Sequence, residues 1–448
     1  MKKKVIVIII IMTLSVALTG CVETPNPPEK TQDDIARELV TDLSNGNYSA
    51  AYDILDVSVQ QQINITYLKD AWTALIQLYG DFEGIDNTRT AYEANYTYIF
   101  VTCSFSQLGN LDIKCVFLNN TKIVGFFFVP TEVTYEYEPP DYVNLSAFSD
   151  TNITIGTNPW LLPAILSVPH GDGPFPVVVL VHGSGPNDQD ETIGPNKPFK
   201  DLAWGLASNG IVVLRYVKRT KQYPTEFTAL KNFTVQDETI DDAVITVDQL
   251  TRYPMVDPNQ IFVLGHSLGG MLAPRIAQEA PMLSGIIILA GNTRPLEDLF
   301  VEQTEYLGNL DGNISETEAQ QIAAVQELAI QIKTLNISDG EYVLGAPRSY
   351  WADLATYDPV STAENITIPM LIMQGLRDYQ VTQADYTRWN TTFSQNPRVT
   401  LHTHPLLNHL FIEGTGVPTN TEYLTAGHVN QTVITDIITW ISQVDENP

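Results

Sequence analysis

Basic residues are scarce in this chain. Its 448 residues carry 24 Lys and Arg against 52 Asp and Glu, a formal net charge of −28. Binding a polyanion requires clustered Lys and Arg that displace counterions, so a nucleic-acid partner is excluded. Cysteine is scarce as well. Cys21, Cys103 and Cys115 are too few for a disulfide-dense scaffold or a four-thiolate metal site. The charged fraction is 17%, below the roughly 25% usual for soluble domains. What is present is apolar substance: a hydrophobic fraction of 44% excludes general disorder. At about 100–200 residues per domain, the length accommodates roughly two to four domains.

The first twenty residues read as an address. Lys2, Lys3 and Lys4 precede an almost purely apolar run from Val5 to Ala17. That run is shorter than the ~20 residues of a membrane span and fits a secretory signal. Leu18-Thr19-Gly20-Cys21 follows and resembles a lipobox. The resemblance implies lipidation of Cys21 after cleavage and a protein anchored extracytoplasmically, on the outer face of the cell membrane, by its acyl chains. Asn-X-Ser/Thr occurs at Asn47, Asn64, Asn95, Asn119, Asn144, Asn152, Asn232, Asn313, Asn336, Asn365, Asn390 and Asn430. Chance would supply about four such sites at this Asn, Ser and Thr content, so the excess points to a glycosylated surface protein.

Residues 21–32, with Pro25, Pro27 and Pro28, read as a tether. Residues 33–130 read as a small α+β domain. Ile35, Leu39, Leu43, Ala50, Ala51 and Ile54 have helical spacing, broken at Gly46, and Leu68, Trp72, Leu75 and Leu78 mark another helix. Tyr96–Phe105, Ile113–Leu118 and Ile123–Phe128 read as strands joined by turns at Gly109-Asn110 and Asn119-Asn120. A hairpin centred on Gly109 would set Cys103 opposite Cys115, which predicts a structural cross-strand disulfide.

Residues 131–146 are acidic and Pro-containing and read as a linker. From 147 to 445 strands and helices alternate. The strand runs are Ile153–Ile155, Ala164–Val168, Val177–Val181, Ile211–Tyr216, Ile261–Leu264, Ile286–Leu289, Met370–Met373 and Val399–His402. Such alternation indicates an α/β fold, a mostly parallel sheet covered on both faces. It pauses at about 292–366. There Ser315 and Glu318 form a capping box, and Ile322, Val325, Leu328, Ile332 and Leu335 share a helix face. A helical insertion between two strands suits a lid.

The chemistry is concentrated in Gly265-His266-Ser267-Leu268-Gly269-Gly270, which follows the apolar strand Ile261–Leu264 and opens a helix. A serine on a tight strand-to-helix turn projects its hydroxyl, and the helix N-terminus offers N–H groups to an oxyanion. Serine needs a base oriented by a carboxylate. Asp378 lies just past the strand Met370–Met373, where such folds place their sites; Asp358 is the other candidate acid. Of His402, His404, His409 and His428, His409 lies in the loop after the last strand, where a base belongs. One oxyanion donor is the Leu268 N–H. The other comes from the loop His182-Gly183-Ser184-Gly185-Pro186, with Ser184 the choice and Gly183 the alternative. His182 reads as a structural residue of that turn. Nothing accompanies His402, His404 and His409 that would make a metal site.

From about Ser146 to Ile441 the chain resembles the α/β-hydrolase superfamily, and within it the extracytoplasmic carboxylesterases near the serine-aminopeptidase and dienelactone-hydrolase groups. The resemblance is carried by His182–Thr192, Gly194–Ala203, Leu214–Thr220, Gly265–Gly270, Gln374–Val381 and Asn408–Phe411. It implies Ser267, Asp378 and His409 as a catalytic triad, with no metal or organic cofactor. Residues from about Asp33 to Pro130 resemble a small cone-shaped domain often found ahead of such hydrolases, which implies an accessory binding or spacing role. The expected activity is cleavage of small carboxylic esters through an acyl-enzyme. A serine peptidase or aminopeptidase, and a surface binding protein with a vestigial hydrolase domain, are the alternatives.

Overall fold

The computed structural model describes residues 30–93, 95–106, 109–118, 122–131 and 136–446. Cys21, the apolar run before it and Asn119 lie outside them. The chain divides into two compact units at Thr134/Tyr135.

The smaller unit begins with helices at Gln32–Ser44, Tyr48–Ile54, Val57–Gln60 and Ile65–Tyr79. A capping box starts the first: the Thr31 hydroxyl accepts from Asp34 N, and the Asp34 carboxylate accepts from Thr31 N. Gly46, at φ +75°, turns the chain into the second helix. The helices cover an antiparallel meander, β1 (Phe82–Glu93), β2 (Tyr96–Phe105), β3 (Gly109–Leu118) and β4 (Ile123–Pro130). Leu39, Leu43, Leu68, Trp72, Ile99, Val101, Ile113 and Phe117 form its core. Strand β1 was not expected. Its sequence is polar, and it pairs only with β2, through two register shifts, so no apolar alternation marks it.

The disulfide is a correction. Phe105 pairs with Gly109, so the hairpin centres two residues before Gly109. Cys103 therefore faces Leu111, and Cys115 faces Ile99. Both thiols are free and buried. Burial, with Asp112 and Asp86 nearby, pushes the Cys103 thiol up to about 12. Burial raises the Cys115 thiol as well.

The larger unit holds an eight-stranded sheet built from β5 (Phe148–Thr157), β6 (Trp160–Pro169), β7 (Phe175–Val181), β8 (Val212–Tyr216), β9 (Val256–His266) and β10 (Gly285–Leu289). A two-stranded hairpin, β11 (Tyr342–Val343) and β12 (Ala346–Pro347), interrupts before β13 (Met370–Gly375) and β14 (Val399–His404) complete it. The order is β14-β13-β10-β9-β7-β8-β6-β5. From β14 to β8 every pairing is parallel, while β6 and β5 add an antiparallel edge. Alternate residues feed two cores. Val177, Val179, Ile261 and Val263 pack with the helices Asp241–Leu250 and Leu268–Glu279. Val178, Leu180, Phe262 and Leu264 pack with Pro198–Ala207 and Gln431–Glu446. Burial on both faces explains why these strands read as continuous apolar runs. The order reverses between β7 and β9, and a parallel sheet opens a crevice at the carboxyl ends of such a pair.

The insertion is helical, at Leu296–Gly308, Glu316–Lys333, Arg348–Leu354 and Pro359–Ala363, and it carries the β11–β12 hairpin. Its capping box forms as read: Ser315 Oγ accepts from Glu318 N, and Ser315 N donates to the Glu318 carboxylate. Ile322 and Ile332 bury the predicted face. Much of the stretch read as a linker is docked on the larger unit. Tyr137 Oη donates to Asp201 Oδ1 at 2.5 Å and its ring meets Trp204 edge-on, while Tyr142 Oη donates to the Val429 carbonyl at 2.8 Å. Among the described residues no helix is long and apolar enough to cross a membrane.

Candidate active site

Strand β9 delivers Ser267 at the reversal of strand order. Ser267 has φ 53° and ψ −117°, a strained conformation for a residue with a Cβ that costs of order 1–3 kcal/mol. The elbow closes only because its flanks are glycine. A Cβ on Gly265 would lie 2.1 Å from the Gly269 carbonyl oxygen, and one on Gly269 would lie 2.3 Å from that of Val181. Ser267 N donates to the Leu289 carbonyl, tying the turn to β10. Ser267 is the N-cap of the helix Leu268–Glu279, so the Leu268 N–H is the first donor of that helix.

Asp378 and His409 are brought together. His409 Nδ1 lies 2.6 Å from Asp378 Oδ2, and both residues are buried. The Asp378 carboxylate also accepts from Gln380 N, Val381 N and Gln374 Nε2. Donors on several sides thus fix its orientation toward the imidazole. Asn408 shapes the histidine loop, its Oδ1 accepting from Leu410 N and Ile412 N.

The other candidates have structural occupations. Asp358 caps the helix Pro359–Ala363 and pairs with Arg388. His402 and His404 face Asp436. His428 pairs with Asp201. His182 is buried, with Nε2 on the Tyr216 carbonyl at 2.5 Å. Among the described residues no group of three His, Cys, Asp or Glu is disposed to hold a metal.

Glu191 is the residue that reading the sequence missed. It is 2% exposed and has φ 50°. Its Oε1 accepts from Gly183 N at 2.7 Å, and its Oε2 meets His266 Nδ1 at 2.8 Å. His266 Nε2 in turn lies 2.9 Å from the His409 carbonyl oxygen. One carboxylate therefore ties the loop after β7, the elbow and the His409 loop together. Burial alone would raise the Glu191 pKa, but the charge and hydrogen bond of His266, with the Gly183 N–H, bring it below its ordinary value. Burial alone would lower that of His266, but Glu191 and the His409 carbonyl raise it. A protonated His266 donates at both nitrogens, which suits two acceptors.

The same loop is held from its other side. Lys218 Nζ, itself buried, donates to the Gly183 carbonyl at 2.8 Å and pairs with Glu238 Oε1 at 2.8 Å. Gly183 thus spends its N–H on Glu191, which removes it as the alternative oxyanion donor. Ser184 lines a cavity of about 280 Å³. Phe227 and Phe233, with Leu296, Phe300, Tyr350 and Trp351 of the insertion, make its wall mostly apolar.

The chain resembles several known proteins. The chain is 39% identical over 405 residues to Esterase EstD of Thermotoga maritima, covering 90% of this chain and 93% of that protein. Residues 36–126 match a family described as a protein of unknown function (DUF3887). Among solved structures, an esterase of Pyrobaculum calidifontis is 15% identical, with a TM-score of 0.44 over 66% of this chain and 86% of that one. Est1E of Butyrivibrio proteoclasticus is 17% identical, with a TM-score of 0.41 over 65% of this chain and 99% of that one.

Proposed function

Since the chain belongs to the carboxylesterases of the α/β-hydrolase superfamily, we propose that it cleaves small esters with Ser267 as nucleophile, His409 as base and Asp378 as orienting acid. The observation that carries this reading is the 2.6 Å pairing of His409 Nδ1 with Asp378 Oδ2. That pairing commits the other imidazole nitrogen, Nε2, to the hydroxyl chemistry.

In the proposed reaction Ser267 Oγ attacks the ester carbonyl carbon as its proton passes to His409 Nε2. The carbonyl oxygen becomes an oxyanion that accepts from the Leu268 and Ser184 N–H groups. Such donors act where charge develops, and loss of one lowers turnover about 10²–10³-fold. Collapse of the tetrahedral intermediate breaks the bond to the alcohol oxygen, which takes the proton from His409. An acyl-Ser267 ester remains. Water then attacks it, again giving its proton to His409, and the acid leaves as Ser267 recovers its proton. Asp378 stabilises the imidazolium formed in each half. Every step is completed by these side chains and water.

We also read Cys21 as a lipid anchor that holds the enzyme outside the cell. In chain order the smaller unit then follows the tether as a spacer. The exposure of ten of the twelve sequon asparagines supports an outward-facing, glycosylated surface.

The test is hydrolysis of a short-to-long series of p-nitrophenyl esters, beside aminoacyl p-nitroanilides, by the protein lacking residues 1–20 and by its Ser267→Ala variant. Ester turnover that vanishes in the folded variant is expected. Anilide turnover in its place would move the assignment to a peptidase. Ester turnover that survives the substitution would remove Ser267 from the mechanism.

A further inference from the structure

Two buried polar atoms at the wall of the cavity have no hydrogen-bond partner: Glu238 Oε2 and Thr220 Oγ1. Glu238 is 7% exposed. The Tyr350 hydroxyl, on the same wall, also faces this carboxylate, and burial together with that charge raises the Tyr350 pKa. Oε2 still has no donor in hydrogen-bond geometry, which is uncommon for a buried carboxylate oxygen because desolvation goes uncompensated. Glu238 is not loosely held. It stands in a π-helical turn, Gln236–Ile240, and its Oε1 is fixed by Lys218 Nζ at 2.8 Å. Single π-turns are frequent at functional sites. Thr220 stands two residues after that lysine, in the short helix Arg219–Gln222.

The chemistry of the two atoms narrows what they would take. Glu238 Oε2 only accepts, while the Thr220 hydroxyl can donate as well. A group that both donates and accepts answers the pair, and a hydroxyl is the smallest that does. Lys218 already neutralises Glu238, so an incoming ammonium would bury an unmatched charge, whereas a hydroxyl would not. Ser184, the proposed oxyanion donor, also lines the cavity, whereas Ser267 and His409 do not, so an ester held at the oxyanion position would enter it with its far end. Its volume of about 280 Å³ is at the small end of ligand sites, which run from about 300 Å³ upward.

We propose that Glu238 and Thr220 select esters that carry a hydroxyl on the group entering this cavity. The proposal rests on the ester-hydrolase reading above and deepens it: the substrate class is a small hydroxylated ester. A site built to hydrogen-bond a substrate hydroxyl discriminates strongly against the analogue lacking it, because the protein groups are then left unpaired.

The experiment compares matched esters. On the acyl side, p-nitrophenyl hexanoate is set against its ω-hydroxy and ω-amino derivatives. On the alcohol side, butyl acetate is set against the monoacetate of butanediol. The wild type is expected to favour the hydroxylated member of at least one pair by about tenfold or more in kcat/KM. Glu238→Gln and Thr220→Val should collapse that preference toward unity. Thr220→Val removes a hydroxyl without adding bulk and supplies the result if Glu238→Gln does not fold. Equal turnover within both pairs would overturn the proposal and leave the esterase intact. A preference for the ω-amino ester would overturn it too, as would an unchanged preference in Thr220→Val. No turnover of any ester by folded wild type would sink the ester-hydrolase reading itself.

Discussion

Removing the Glu191 side chain should loosen three active-site segments at once. In Glu191→Ala, Gly183 N–H and His266 lose their shared acceptor in a buried setting. Breaking a buried ion pair by deleting one partner costs about 3–5 kcal/mol. At about 2–4 °C per kcal/mol for a large domain, the melting temperature should fall by roughly 6–20 °C. The Ser184 N–H should drift from its aim, lowering kcat up to about 10²–10³-fold. Glu191→Gln should behave differently. Its amide oxygen can still accept from Gly183 N, and its NH₂ can donate to a neutral His266, whose Nε2–H still serves the His409 carbonyl. The penalty should then be near 1 kcal/mol.

The charge-dependent part shows in the pH dependence. The His266 pKa is raised, so its contribution is complete below its ordinary value of 6.5 and is lost as pH climbs through the raised value. The Glu191 pKa is lowered, so its contribution is present above its ordinary 4.5 and is lost as pH falls through the depressed value. The melting difference between wild type and Glu191→Gln should therefore be widest from 4.5 to 6.5 and narrow on both sides. Thermal melts of the three proteins across pH, with ester kinetics alongside, decide the matter. A Glu191→Ala protein that melts and turns over like wild type would refute the reasoning, as would a Glu191→Gln gap that does not change with pH.

Asp378→Asn should keep the geometry but disfavour the working tautomer of His409, lowering kcat about 10⁴-fold with a smaller change in KM, measured by steady-state ester kinetics. Gly265→Ala cannot place its Cβ 2.1 Å from the Gly269 oxygen, so the soluble protein, if recovered, should show no burst of acylation with a p-nitrophenyl ester. Cys103 and Cys115 should resist a thiol reagent in the native protein and react once it is denatured, with or without reductant. Reactivity after denaturation only when reductant is added would restore the disulfide.

Much of the architecture was legible because burial on both sheet faces writes itself as apolar runs. Each predicted strand of the large sheet overlaps an observed one, although β5, β6 and β9 begin four or five residues earlier than their apolar runs. Ser267, Asp378 and His409 stood out because each follows a strand end, where position and residue type coincide, and the structure pairs the last two. Strand β1 was hidden because an exposed edge needs no apolar alternation. The cysteine register was misread because it depends on where the hairpin turns, and a shift of two residues in that centre moves each pairing by four. Glu191 and Lys218 lay within the stretches that carry the resemblance, but nothing there marked them as buried charges, and Glu238 left no signal. A buried charge on a loop or a π-turn has no period, and its partner is fixed only when β7, β8 and β9 are side by side. The division between the two units falls within residues 131–146, but their acidic, Pro-containing texture hides two tyrosines, Tyr137 and Tyr142, that dock on the larger unit.

The insertion leaves the sheet after β10 and returns at β13, and these two strands are hydrogen-bonded neighbours. The two run parallel, so the insertion leaves at the carboxyl end of β10 and returns at the amino end of β13, and the whole passage is one crossover between neighbours. Natural variation can lengthen, shorten or replace the passage between them without changing a single strand pairing or moving Ser267, Asp378 or His409. One side of the cavity, with Leu296, Phe300, Tyr350 and Trp351, is inherited with that passage, and the other, with Thr220, Phe227, Phe233 and Glu238, is inherited with the sheet's own connections. Exchanging one continuous cassette would therefore reshape half of the wall and leave the other half standing.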